Sequence, residues 1–147
     1  MNERNCAIFS DENVIKQLQL TVYTNNLEEL KFLSESHDLS RYINIPNSHG
    51  VTLLHMVFYN KKLEFVKWLS KNYDLSQFIT LPDKYGFTPL DDAVCTQDIK
   101  MFKLLLKNYD LFQSVNLQDN GGRTLLHYVV NARNLEIVKY LIEKYSN

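Results

Sequence analysis

Asn47-Ser48-His49-Gly50-Val51-Thr52-Leu53-Leu54-His55, and after a polar break at Asn60-Lys61-Lys62 the stretch Leu63-Glu64-Phe65-Val66-Lys67-Trp68-Leu69, decide the fold. In the second stretch apolar residues fall at i, i+2, i+3, i+5 and i+6, close to one helical face. Thirty-six residues on, the pattern returns as Gly86-Phe87-Thr88-Pro89-Leu90-Asp91 and Ile99-Lys100-Met101-Phe102-Lys103-Leu104-Leu105. Another 36 on, it is Gly122-Arg123-Thr124-Leu125-Leu126-His127 and Leu135-Glu136-Ile137-Val138-Lys139-Tyr140-Leu141. A fixed period of this length predicts stacked supersecondary units.

Upstream the pattern persists in degraded form. Val14 stands where the other units have glycine, and Gln19 where they have His55, Asp91 and His127. Asn26 to Leu33 keeps the second segment, so Leu27, Leu63, Ile99 and Leu135 form one register and Leu33, Leu69, Leu105 and Leu141 another. Loss of pattern at a terminal unit suits a cap with one face in water. The chain therefore divides into residues 1–10, a tail or cap, and units at about 11–46, 47–82, 83–118 and 119–147, all in a single domain.

Each unit predicts two short antiparallel helices and a long connector. Thr52, Thr88 and Thr124 are placed as N-caps of the first helix, with Pro89 at the first helical position. Asn26, Lys62, Asp98 and Asn134 precede the second helix, and Lys62 is the poor cap among them. Neither helix exceeds roughly three turns, too short to stand alone in water, so packing between units must hold them. Leu54, Leu69, Leu90, Leu105, Leu126 and Leu141 are expected at those interfaces. The connectors share Asp-Leu at one phase (Asp38-Leu39, Asp74-Leu75, Asp110-Leu111) and Ile43, Ile79 or Val115 five residues after the Asp. We expect each to begin a capped helical turn with its leucine inward, then to run out extended through Ile45-Pro46, Leu81-Pro82 or Leu117-Gln118.

Composition narrows the function. Hydrophobic residues make up 45%, enough for a core, and the net charge of −1 carries no run of one sign that points to nucleic acid or an anionic membrane. No apolar run approaches the ~18 residues of a membrane span, and Met1 to Asn5 leads into no signal core. Cys6 and Cys95 share no motif, which suits a reducing compartment.

Gly50-x-Thr52-x-Leu54-His55, Gly86-x-Thr88-Pro89-Leu90 and Gly122-x-Thr124-x-Leu126-His127 resemble the ankyrin-repeat signature G-x-T-P-L-H, and Leu63 to Leu69 and Leu135 to Leu141 resemble its L-E-I-V-x-x-L-L. The resemblance covers residues 11–147 and implies an all-α solenoid of antiparallel helix pairs with extended fingers. It departs from the family in period, 36 rather than about 33, with the extra residues in the Asp-Leu connector. Leu53 and Leu125 replace the family's proline, and Val57-Phe58, Ala93-Val94 and Val129-Val130 replace its small alanine pairs.

For function the resemblance implies a non-enzymatic module that binds another protein on its concave finger and first-helix surface. Carried onto this chain, the contact positions are Ser48, His49, Val51, Tyr59 and Asn60; Lys84, Tyr85, Phe87, Cys95 and Thr96; and Asn120, Gly121, Arg123, Asn131 and Ala132. Tyr59, Tyr85 and Phe87 are expected to form one aromatic patch that folding does not need. His55 and His127 read as loop-to-loop hydrogen-bonding residues rather than metal ligands, since they lie two units apart; His37 and His49 have no ligand at metal spacing. Asp91-Asp92 reads as local hydrogen bonding rather than an acid pair, and Cys95 as a small contact residue. Lys31, Lys67, Lys103 and Lys139 read as a solvated outer row. No catalytic residue, cofactor or metal site is assigned. Asn44 and Asn116 match the family's asparagine-hydroxylation position, with turn structure as the plainer role. The expectation is a monomeric adaptor or inhibitor in the cytoplasm, such as a viral or intracellular-bacterial protein in a host cytosol, with association through the uncapped last repeat as a further route. The alternative is the recognition domain of a larger protein; Met1 favours the first and the end at Asn147 the second.

Overall fold

The computed structural model describes residues 11–110 and 114–146. Among them are eight α-helices and no strand: α1 (Asp11–Tyr23), α2 (Leu27–Ser36), α3 (Leu53–Tyr59), α4 (Leu63–Asn72), α5 (Pro89–Cys95), α6 (Ile99–Asn108), α7 (Leu125–Asn131) and α8 (Leu135–Tyr145). They pair in order. First helices stack α1 on α3, α3 on α5 and α5 on α7, while α4, α6 and α8 stack behind them.

The caps show why the helices start where they do. Thr88 Oγ1 accepts the Asp91 N–H, and the Asp91 carboxylate in return accepts the Thr88 N–H at 2.9 Å. Thr52 and Thr124 are N-caps as expected, and there the imidazoles of His55 and His127 accept the threonine N–H at 3.1 and 3.0 Å. Asn26, Asp98 and Asn134 cap the second helices through their side chains, and Lys62 does not. Between the helices of each pair, Asn25, Lys61, Gln97 and Arg133 take φ of 53–57°. The following N–H closes back at Val57 O from Lys62, the C-terminal lock that usually selects glycine.

Leu54, Leu69, Leu90 and Leu105 are buried as the register requires. Leu126 is not: it is 53% exposed, and Leu141 is half-buried. Their counterparts Leu90 and Leu105 belong to α5 and α6, on which α7 and α8 stack, whereas among the described residues no further helix pair stacks on α7 and α8. Val130 and Ile142 are exposed for the same reason, although Val94 and Leu106, 36 residues earlier, are buried.

In the first connector Asp38 caps a 3-10 turn at Leu39–Arg41. In the second, Asp74 Oδ1 accepts the Ser76 N–H at 3.0 Å and Ile79 N–H returns to Leu75 O, a run of turns without a 3-10 helix. Leu39, Ile43, Leu75 and Ile79 are fully buried in both. Leu111 lies outside the described residues; the third connector holds a 3-10 helix at Ser114–Asn116.

Candidate partner-binding groove

Each finger is built by one acidic or amide side chain. Asn47 Oδ1 accepts the N–H groups of His49 and Val51, Asp83 Oδ1 those of Tyr85 and Phe87, and Asp119 Oδ1 those of Gly121 and Arg123. The sharp reversal at the tip needs Gly50, Gly86 and Gly122, at φ of 77–88°. Adjacent fingers are then tied by backbone: Lys84 N–H donates to His49 O at 3.0 Å, and Asn120 N–H to Tyr85 O at 3.1 Å.

His55 joins finger to helix. Its Nδ1 accepts from Thr52, so Nε2 carries the proton and donates to Phe87 O, 3.0 Å away in the next finger. Burial holds its pKa below the ordinary value, which keeps this neutral form at physiological pH. The histidine signature is thus a structural bracket. His127 repeats the Thr124 half of it and is exposed.

The candidate contact residues fall into several groups. Val51, Tyr59 and Asn60 line a cavity of roughly 320 Å3 together with Tyr23, His55, Met56, Asp83 and Asp92. Tyr59, Cys95 and Thr96 line a neighbouring depression with Lys61 and Gln97. Arg123 and Asn131 line a third with Leu126, His127 and Val130. At the fingertips Ser48 is exposed, Lys84 Nζ donates to His49 Nδ1 at 2.9 Å, and the same ammonium lies 4.8 Å from the Tyr85 ring centroid. Asn120 is engaged with Lys84 O through its side chain at 2.9 Å.

Tyr59 and Tyr85 are exposed, as contact residues must be. Phe87 differs from the expectation: it is half-buried, its ring 5.4 Å from that of Tyr128. Tyr128 in turn donates through its hydroxyl to Asp119. Phe87 therefore packs the second finger against α7.

Tyr23, Met56 and Asp83 line the groove and were not singled out by sequence, and Asp92, read there as half of a local hydrogen-bonding pair, lines it too. The available signal was period: Leu20, Met56, Asp92 and Tyr128 share one register on the first helix. Asp91 forms the cap described above, whereas Asp92 faces the cavity. Burial, with Asp83 and Asp91 adding charge, pushes the Asp92 carboxyl up to about 7. Cys95 is exposed as a residue, yet partial burial beside Asp92 and Asp91 pushes its thiol up to about 11, which favours the protonated form near neutral pH.

On the opposite face, Lys31, Lys67 and Lys103 pair with Glu28, Glu64 and Glu136. Lys67, Lys100, Lys103, Lys107 and Lys144 line a shallow basic depression there with Leu104 and Tyr140. Asn44 is half-buried in a turn and Asn116 is exposed. Among the described residues no three His, Cys, Asp or Glu side chains are placed to hold a metal, and no helix is long and apolar enough to cross a membrane.

A family model described as ankyrin repeats (3 copies) matches residues 18–114, and one described as ankyrin repeats (many copies) matches residues 98–142. The chain belongs to the ankyrin-repeat family. A search of curated proteins found no match. Ankyrin repeats generally serve as protein–protein interaction modules, and this ankyrin-repeat chain presents its open groove on the finger and first-helix side.

Proposed function

We propose that the chain is a non-enzymatic adaptor or inhibitor that docks one partner protein in the groove between its fingers and first helices. The observation that carries this is the groove itself. Exposed Tyr23 and Tyr59 overhang a cavity whose scaffold is locked by finger-to-finger hydrogen bonds. Large aromatic side chains held on a rigid frame bury much area for little lost entropy. The exposed free thiol of Cys95 suits a cytosolic setting. The test uses the whole chain as bait in its native cells, beside a Tyr59→Ala/Tyr85→Ala double variant. A protein that co-purifies with the parent should be lost from the variant by at least about 30-fold in affinity, the hot-spot scale of ~2 kcal/mol. Equal retention moves the site elsewhere.

A further inference from the structure

The register that puts Met56 and Tyr128 on α3 and α7 puts Asp92 on α5. Met56 is buried, and Tyr128 packs on Phe87; both fit an apolar position. A carboxylate there is out of keeping. The carboxylate is half-buried, and the nearby charges acting on it, Asp83 and Asp91, have its own sign. A half-buried carboxylate beside like charges favours a cationic neighbour.

The cavity beside it defines that ligand. Asp92 and Asp83 supply negative charge, Val51 and Met56 an apolar floor, and Tyr59 and Tyr23 ring surfaces at the mouth. No lysine or arginine lines it, and His55, also in the lining, is held toward its neutral form by burial. We propose that this cavity receives an arginine side chain presented by the partner protein, with Asp92 as its counter-ion and the two tyrosine rings as its walls. Arginine suits it better than lysine. The guanidinium is weakly hydrated, stacks on aromatic faces and offers forked donors to a carboxylate. The assignment rests on the partner-docking reading and names the chemistry of its anchor.

The experiment needs no identified partner. The full chain, labelled at methionine methyls and tyrosine rings, is titrated by NMR with acetyl-Gly-Ser-Arg-Ser-Gly-amide. A second peptide carries citrulline, the neutral isostere, in place of arginine. The arginine peptide should give saturable shifts at Met56 and Tyr59, and the citrulline peptide should bind at least about 10-fold more weakly. Asp92→Asn should lose the same preference while its thermal midpoint is held or raised. Equal shifts from the two peptides, no saturable shift, or unchanged binding to Asp92→Asn would each overturn the proposal. The citrulline comparison uses the parent protein, so it stands whatever the variant's folding. The wider docking reading fails separately. A partner that Tyr59→Ala/Tyr85→Ala retains sinks docking at the groove, whereas a partner lost by that variant from an arginine-blind cavity sinks only the arginine assignment.

Discussion

Three glycines at equivalent finger tips face different surroundings. A Cβ on Gly86 would lie 2.6 Å from the backbone nitrogen of Asn120, and one on Gly50 2.8 Å from that of Lys84; at Gly122 it meets nothing within 4 Å. All three pay for a left-handed φ, about 1–2 kcal/mol for a residue with a Cβ. Only the first two also force neighbouring fingers apart. Gly122→Ala should therefore cost ~1 kcal/mol in urea unfolding, and Gly86→Ala clearly more. Equal costs would mean that the fingers are not packed as described. Asp92 gives a second residue-scale prediction. Its carboxyl is raised from 3.8 to about 7 in the fold, so the folded chain holds the extra proton between those values. Stability should be highest below the lower value, fall as pH rises through the window and level off above it. Asp91, also raised, acts in the same sense, and His55, lowered by burial, acts in the opposite one. Comparison with Asp92→Asn isolates the carboxylate. The variant should gain in melting temperature at pH 8 by at least about 2 °C, and the gain should shrink toward pH 4. A pH-independent difference would show that Asp92 is solvated.

At the level of the elements, one sequence position has two energetic values. Leu90 on α5 and Leu105 on α6 are enclosed by neighbouring helix pairs, whereas Leu126 on α7 is half in water. Leu90→Ala or Leu105→Ala should cost ~2–5 kcal/mol by lost burial and a residual cavity. Leu126→Ala should stay within about 0.5 kcal/mol, the range of ordinary surface changes. Chemical denaturation of the three variants checks this, and a large loss at Leu126 would show that its face is covered in solution. The connectors follow similar logic: the Asp-Leu turns at Leu39 and Leu75 seat their leucines fully in the core, so the longer repeat extends the hydrophobic stack instead of lengthening a loop.

Across the whole molecule, burial is uneven along the stack. α4 buries Phe65, Val66 and Leu69, and α6 buries Met101, Phe102, Leu105 and Leu106, while α8 buries Ile137 alone. In a solenoid each repeat is stabilised by its own packing and by its nearest neighbours, so the unit covered on one side opens first. Amide exchange in α8 should be faster than in α4 and α6 by at least about 10-fold, corresponding to ~1.4 kcal/mol of opening free energy. Uniform protection from α4 to α8 would indicate one cooperative block.

The sequence by itself determined the repeat, its phase, the helix pairs and the inward leucines of interior units, because these follow from local periodicity and capping chemistry that recur every 36 residues. It also marked His55 as a bracket and Tyr59 and Tyr85 as exposed. Tertiary structure decided what depends on neighbours. Leu126 has the spacing of a core residue and is exposed because, among the described residues, no further helix pair stacks on α7. Phe87 has the place of a contact residue and is half-buried because Tyr128 reaches it from the next repeat. Lys61, Gln97 and Arg133 adopt the left-handed conformation without being glycine, since the packed helix pair closes the turn around them. Asp92 reads as one of two adjacent acids until the stack separates them, turning Asp91 into a cap and Asp92 toward an apolar groove. Period fixes which face of a helix a residue occupies; only the assembled neighbours fix whether that face meets protein, water or a waiting partner.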